Sequence, residues 1–311
     1  MNYQTLYNNI QAYAENTEAL FVASIPIFVQ EAEDRIYNTV QIPALRRNVT
    51  GTLTAGNKYV SLPNDWLSNY SLAVVDGAGT YTYLLNKDVN FIREAYPSPT
   101  STGLPKYYGL FGSQITNVNE MSLILGPTPD SSYTVEMHYF YYPPTIVQGQ
   151  ITSLNTASYN QGSLYTNGVY QGVPLTGGSG NGVTADIVVS GQKITSVTLK
   201  FGGQFYVVGD ILSVNPTSVG SSGSGFSITV SAISNTAGTS WLGDNFDPVL
   251  LYGSMREAML FMKGEQDLVT YYEQKYQEAI GQLQRLGDGL ERGDAYRDGQ
   301  LKIDVSGGAR S

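Results

Sequence analysis

Residues 24–36, Ser24-Ile25-Pro26-Ile27-Phe28-Val29-Gln30-Glu31-Ala32-Glu33-Asp34-Arg35-Ile36, carry the pattern on which the fold turns. Ile25, Phe28, Val29, Ala32 and Ile36 recur at three- and four-residue steps, which places them on one face of a helix. Gln30, Glu31, Glu33 and Asp34 fall on the other side. Ser24 reads as the cap and Pro26 as a first-turn residue, so the helix is expected to open there. A shorter helix precedes it, with Tyr3, Leu6, Tyr7, Ile10 and Tyr13 in phase. The same period returns at the far end of the chain. Asp247-Pro248 starts one helix, which Gly264 stops; Leu268, Tyr272, Tyr276, Ala279, Leu283 and Leu286 mark another, which Gly287 closes. Two amphipathic helices at each end bury their stripes most simply on one another, so residues 1–47 and 240–287 are expected to form a four-helix bundle.

Between these ends the period changes to two. The runs 49–53, 58–62, 71–75, 80–85, 121–125 and 133–142 alternate apolar and polar residues, and Ala55-Gly56-Asn57, Pro63-Asn64-Asp65 and Asp76-Gly77-Ala78-Gly79 punctuate them. Residues 48–158 therefore read as an antiparallel β-sandwich or barrel. From Tyr159 to Thr239 only Asp186, Lys193, Lys200 and Asp210 are charged, while Gly, Ser, Thr and Val dominate. The runs 185–189, 194–201, 211–214 and 226–233 still supply alternating Val, Ile and Leu, so 159–239 reads as a small all-β insertion domain, not a linker. Residues 288–311 alternate charges and glycines and read as an extended arm. The fold class is α+β.

The 311 residues are long enough to fold without staples, and the chain contains no cysteine, which removes disulfides and thiolate chemistry. Charged residues make up 14%, against about 25% in an ordinary domain, while tyrosines number 24. Such a surface suits extensive contacts. The net charge of −9 argues against gripping nucleic acid, although an acidic wall would let DNA slide past. The start shows no export signal and no run approaches the length of a membrane span, so a soluble protein is expected.

Candidate chemical sites fare poorly. His138 lies beside Glu136 on one strand face with no triad spacing around it, and reads as a surface residue. Gly178-Ser179-Gly180-Asn181-Gly182 is a turn: no long apolar strand leads into it and no helix follows. Glu31, Glu33 and Asp34 point in different directions on a helix and lack His or Cys support for a metal; an inter-subunit face that includes Arg35 is the expected use. Glu265, Asp267, Glu273 and Glu278 read the same way. Trp66 and Trp241 are expected at buried domain junctions. No catalytic, cofactor or metal site is assigned.

The order of pieces resembles the head-to-tail adaptors of short-tailed bacteriophages, also called connectors or tail tubular protein A. Three stretches carry the resemblance: residues 25–36 with Ile42-Pro43-Ala44-Leu45-Arg46-Arg47; Lys58-Tyr59-Val60-Ser61-Leu62-Pro63-Asn64-Asp65-Trp66; and Tyr139-Phe140-Tyr141-Tyr142-Pro143-Pro144 with Trp241-Leu242 and residues 247–253. It spans roughly 1–150 and 240–287. Residues 159–239 depart from it and are similar to Gly-rich modules of phage tail and fibre proteins, as in Gly177-Gly178-Ser179-Gly180 and Tyr206-Val207-Val208-Gly209-Asp210.

The resemblance implies a non-enzymatic virion protein, assembled in the host cytoplasm as a ring of twelve subunits between the portal and the tail nozzle. DNA would pass through its lumen. The arm would engage the portal through Tyr296, Leu301, Ile303 and Val305, the last three facing one way if the arm adds as a strand. Residues 159–239 would offer a surface to tail fibres. A carbohydrate-binding tail or fibre component is the alternative reading.

Overall fold

The computed structural model describes residues 1–98, 100–114, 117–220 and 222–291. Helices α1 (Tyr3–Ala14) and α2 (Ala19–Thr39) open the chain. Five strands follow: β1 (Arg46–Thr52), β2 (Tyr59–Ser61), β3 (Trp66–Val75), β4 (Tyr81–Tyr83) and β5 (Leu85–Asn86). After α3 (Val89–Ala95) come β6 (Tyr107–Gln114), β7 (Asn117–Gly126) and β8 (Thr134–Tyr141). A second run comprises β9 (Gln150–Leu154), β10 (Asn160–Ser163), β11 (Gly168–Thr176), β12 (Asn181–Ser190), β13 (Lys193–Gln204), β14 (Ile211–Val214) and β15 (Ser224–Ser234). The described chain ends in α4 (Trp241–Asn245), α5 (Asp247–Phe261) and α6 (Gln266–Glu291). The class is mixed α+β, with three sheets among the described residues.

Two compact units form. One joins Met1–Val40 to Pro144–Gly289; the other is built on Gln41–Pro143. In the second unit, sheet β1-β8-β3-β4 and sheet β2-β7-β6-β5 share one apolar cluster. Val135, Met137 and Tyr139 of β8 and Leu72 and Val74 of β3 meet Leu123 and Leu125 of β7 and Tyr108 of β6 there. Among the named strands the expected antiparallel order is broken where β5 and β6 pair in parallel. Parallel neighbours need a crossover, and α3 supplies it.

In the first unit α5 packs along both α1 and α2, so amino- and carboxyl-terminal helices share a core. Gly253 marks the tightest approach. A Cβ there would lie 3.0 Å from Ala32 Cβ and 3.3 Å from the Tyr276 ring, so α2, α5 and α6 meet at a point where any added side chain would force its neighbours apart by a few tenths of an ångström. The buried apolar side chains of α6 among the described residues are Tyr276, Ala279, Ile280 and Leu283; the outer members of its predicted stripe, Leu268 and Leu286, are exposed. Gly287 does not close the helix, which runs on to Glu291 and takes in the first residues assigned to the arm. A single glycine costs a helix interior only about 1 kcal/mol, too little by itself to end it.

The second helix also differs from its expected start. It begins at Ala19, so Ser24 and Pro26 lie inside it. Ser24 Oγ donates to the Leu20 carbonyl 2.8 Å away, a bond made within a helix and not at its cap. Pro26 has no N–H, which leaves the Val22 carbonyl without its helical donor. Gln204, at the end of β13, replaces it: its Nε2 donates to Val22 O at 3.1 Å and to Asn181 Oδ1 at 3.0 Å, while its Oε1 accepts from the Tyr3 hydroxyl. Gln204 is fully buried and uses every donor it has.

Around this amide the helices and the seven-stranded sheet, ordered β10-β15-β14-β11-β12-β13 with β9 on β15, lock together. Phe205 lies 5.3 Å from the rings of both Tyr3 and Tyr7, and Gln30 donates to Gln150 at 3.0 Å. Where β9 crosses β13, a Cβ on Gly202 would fall 2.2 Å from the Ile151 carbonyl, so a side chain is excluded.

Replacing Gln204 by Leu leaves three polar partners without its amide, of which the Tyr3 hydroxyl is buried, and is expected to lower the unfolding free energy by about 1–3 kcal/mol in urea titrations. Tyr3→Phe alone should cost about 1–2 kcal/mol, and the double variant less than the sum. Strictly additive losses would show that the two side chains are not coupled.

Candidate functional site

Residues 144–149 and 235–243 form a neck at which the chain enters β9 and, after β15, reaches the carboxyl-terminal helices. Asn235 ties its two sides, with Nδ2 donating to the carbonyls of Thr145 (2.8 Å) and Thr239 (2.9 Å) and Oδ1 accepting from Gly238 N (2.9 Å). Gln148 Nε2 adds a bond to the Thr236 carbonyl at 3.0 Å, and Tyr3 N donates to the Gly238 carbonyl at 2.7 Å.

The neck also explains Glu33, for which the sequence reading of a solvent-side residue is corrected. Its side chain is buried, and Oε1 accepts the Ile146 N–H at 2.8 Å. Burial pushes its pKa up to about 7; hydrogen bonds from the Thr145 hydroxyl and the Ile146 amide oppose the shift, and Asp34 adds to it. A single helical turn holds residues for both faces, and periodicity alone does not tell a buried acceptor from a solvated charge.

Glu31 and Asp34 do face outward, and partial burial raises the pKa of each. Arg35 turns along the subunit. Its Nη1 and Nη2 reach Glu273 Oε2 and Oε1 at 3.0 and 2.7 Å, and its guanidinium sits 4.5 Å from the Tyr276 ring centre. Arg256 Nε joins the same carboxylate at 3.1 Å and its Nη1 pairs with Glu257. Glu273 is accordingly held below the usual carboxylate range, chiefly by Arg35. This network fastens α2 to α5 and α6 at a partly solvated edge. The four predicted helix residues are thus divided: two outward, one buried, one in an intramolecular ion pair. Tyr296, Leu301, Ile303 and Val305 lie outside the described residues.

On the outer face of the β1-β8-β3-β4 sheet, Glu136 collects three donors: Asn48 Nδ2 at 2.9 Å, Tyr81 hydroxyl at 2.9 Å and His138 Nε2 at 3.1 Å. Its pKa is lowered, chiefly by the bond with His138. Arg46 stacks over Tyr70 at 3.8 Å, and Arg47 pairs with Asp65 at 2.7 Å. The carboxylate next to His138 serves as a hub for strand side chains. Trp66 and Trp241 are both half-buried, the former donating to Asn69 at 2.7 Å. Among the described residues no group of three or more His, Cys, Asp or Glu is placed to hold a metal ion.

The two Gly-rich motifs of residues 159–239 prove to be one structure. Asp210 Oδ2 accepts from Ser179 N at 3.0 Å, from Ser179 Oγ at 2.6 Å and from Val207 N at 3.0 Å. Although desolvation opposes it, these bonds lower the Asp210 pKa. The glycine loop therefore wraps the chain's own carboxylate, which occupies the amides that a phosphate would need.

Across residues 1–173, more than half of its length, the sequence matches the family model described as SU10 adaptor protein. The chain belongs to the SU10 adaptor family. No curated protein matches it significantly. The matched part of the adaptor takes in α1, α2, the whole Gln41–Pro143 unit, the first side of the neck and the strands as far as β11. Residues 240–287, which also carried the resemblance, lie beyond it. Membership makes this a phage structural protein, associated with the virion, that contacts other virion components, and it is consistent with a head-to-tail adaptor.

The pKa of Glu33 sets a testable pH dependence. Its folded value, about 7, lies above the ordinary 4.5, so between these pH values the native chain keeps a proton that the unfolded chain has released. Stability is then complete below pH 4.5 and falls as pH rises through 7, by at most about 3 kcal/mol. Glu33→Gln should flatten that slope, with melting curves of the two proteins converging at pH 5 and separating by pH 8. Parallel profiles across this range would contradict the assignment.

Proposed function

We propose that this protein is the head-to-tail adaptor of a short-tailed phage: a ring of identical subunits, twelve on the resemblance, that joins the portal to the tail nozzle and encloses the DNA conduit. Membership of the SU10 adaptor family carries this reading. The subunit's chemistry supports it. A closed ring needs two unlike, complementary faces on each chain. A sequence with only 14% charged residues, and exposed tyrosines such as Tyr13, Tyr70, Tyr81 and Tyr83, lowers the cost of desolvating such faces. The helices at the two ends act as a four-helix bundle and the Gln41–Pro143 unit as a β-sandwich. The acidic net charge suits a lumen that DNA crosses without being held.

On α2, Glu31 and Asp34 are the side chains proposed to meet a neighbouring subunit, since Glu33 and Arg35 are engaged within their own. Residues 159–239 are proposed to contact fibres or nozzle. Their exposed side chains near the Asp210 turn, Val207, Val208 and Ile211, are aliphatic. That favours a protein partner over the stacking that a sugar ring requires.

The decisive experiment mixes the purified chain with its cognate portal and follows mass by light scattering and particles by electron microscopy. Portal-bound rings are expected; a persistent monomer that ignores the portal would defeat the proposal. Glu31→Lys with Asp34→Lys should weaken ring assembly by about tenfold or more while leaving the melting temperature within about 2 °C, because exposed charges add little to the fold. Unchanged assembly would remove α2 from the interface.

A further inference from the structure

β1 and β2 end different sheets. Among the named strands β1 pairs with β8 alone and β2 with β7 alone, so each keeps one edge unpaired. A groove of about 510 Å³ opens between them, bordered by residues 49–54 on one side and 59–63 on the other, with Val135 and Met137 at its floor. Consecutive residues, not every second one, form the borders. The groove is therefore flanked by backbone edges, along which alternate N–H and C=O groups turn away from the paired strand.

Exposed edges are commonly guarded by proline, lysine or an inward charge. The interior of β1, Asn48-Val49-Thr50-Gly51, has none of these. Its two arginines are used elsewhere: Arg46 lies over Tyr70 on the outer face and Arg47 pairs with Asp65. The edge is open, flat in chemistry and uncharged.

The chain itself holds a segment with the matching properties. Past α6, residues 292–311 include Gln300-Leu301-Lys302-Ile303-Asp304-Val305-Ser306, set between Gly299 and Gly307. This run has the seven-residue length of β1, and its apolar side chains recur with a period of two. Leu301, Ile303 and Val305 would face the floor of the groove while Lys302 and Asp304, of opposite sign, face water. Eight residues lie between Glu291 and Gln300, and a chain of that length reaches at most roughly 26 Å, close to the width of a small domain.

We infer that residues 300–306 of one subunit add as an edge strand to β1 of a second copy, in the groove between β1 and β2. The inference rests on the ring reading above. Each subunit then donates one arm and offers one groove, a head-to-tail contact of the kind that closes rings. The resemblance assigns the same arm to the portal, and that becomes an outcome of the test.

The full-length chain is prepared with a photo-crosslinking amino acid at Ile303, in an equal mixture of light and nitrogen-15-labelled subunits. Illumination is followed by mass spectrometry, and assembly is measured in parallel without portal and with it. Crosslinks to residues 49–63 that join light to heavy chains are expected, and Ile303→Asp should reduce assembly by about tenfold or more. Light-to-light and heavy-to-heavy crosslinks alone, crosslinks to other parts of the subunit, or crosslinks appearing only on the portal would each overturn the inference while rings still form. Absence of any ring, with or without portal, would instead defeat the proposed function, and this inference with it.

Discussion

Everything in the larger unit is built around the carbonyl of Val22. Pro26 deprives it of the amide that an uninterrupted helix would provide, and a part-buried carbonyl left without a donor is destabilising. Gln204 makes good that loss from a strand far away in sequence, and with its remaining groups holds Tyr3 and Asn181. One amide thus joins α1, α2, β12 and β13. The Gly-rich β region is for that reason a part of the helical subunit, whatever it contacts on its outer side. Removing residues 159–239 wholesale would strip the helices of a hydrogen-bond partner and of the Phe205 ring against Tyr3 and Tyr7.

The neck shows the same economy of means in polar form. Asn235 bridges the departing and returning segments, and Glu33 reaches from α2 to the Ile146 amide. A long excursion between two helices needs its ends fixed, since loop closure is entropically unfavourable and grows only slowly with length. Side-chain amides and one buried carboxyl do this where an apolar contact would not specify direction. The Arg35, Glu273 and Arg256 cluster adds a polar fastening on the helices, at an edge where partial solvation limits its energetic weight.

The smaller unit solves a different problem. Its β5-α3-β6 crossover places one parallel pair in an otherwise antiparallel sheet, and both sheets contribute side chains to a common cluster. Two sheets closed over one core still have ends, and at β1 and β2 those ends face each other across a groove. Unpaired strand edges are a general means by which an added strand is recognised through backbone hydrogen bonds, and that is what the proposed docking at β1 would use.

Periodicity alone determined the class and most of the elements. The 3.6-residue stripe in Tyr3, Leu6 and Ile10 and in Tyr276, Ala279 and Leu283 marks buried helix faces, and the alternation in residues 211–214 matches β14 residue for residue. Short elements escaped: α3, β6, β9, β10 and β11 carry glycines, prolines or too few residues for a period to register. Local rules also misplaced the start of α2 and the end of α6, since Ser24, Pro26 and Gly287 are read as boundaries when only their neighbours in sequence are considered. Adaptor membership was legible in motif order along the first half of the chain. The site was not, because Gln204, Asn235 and the buried state of Glu33 draw their meaning from partners more than eighty residues away. Sequence determines which faces are apolar through repeat distance, a local quantity; which polar atoms complete one another is decided only when distant segments meet and water is excluded from between them.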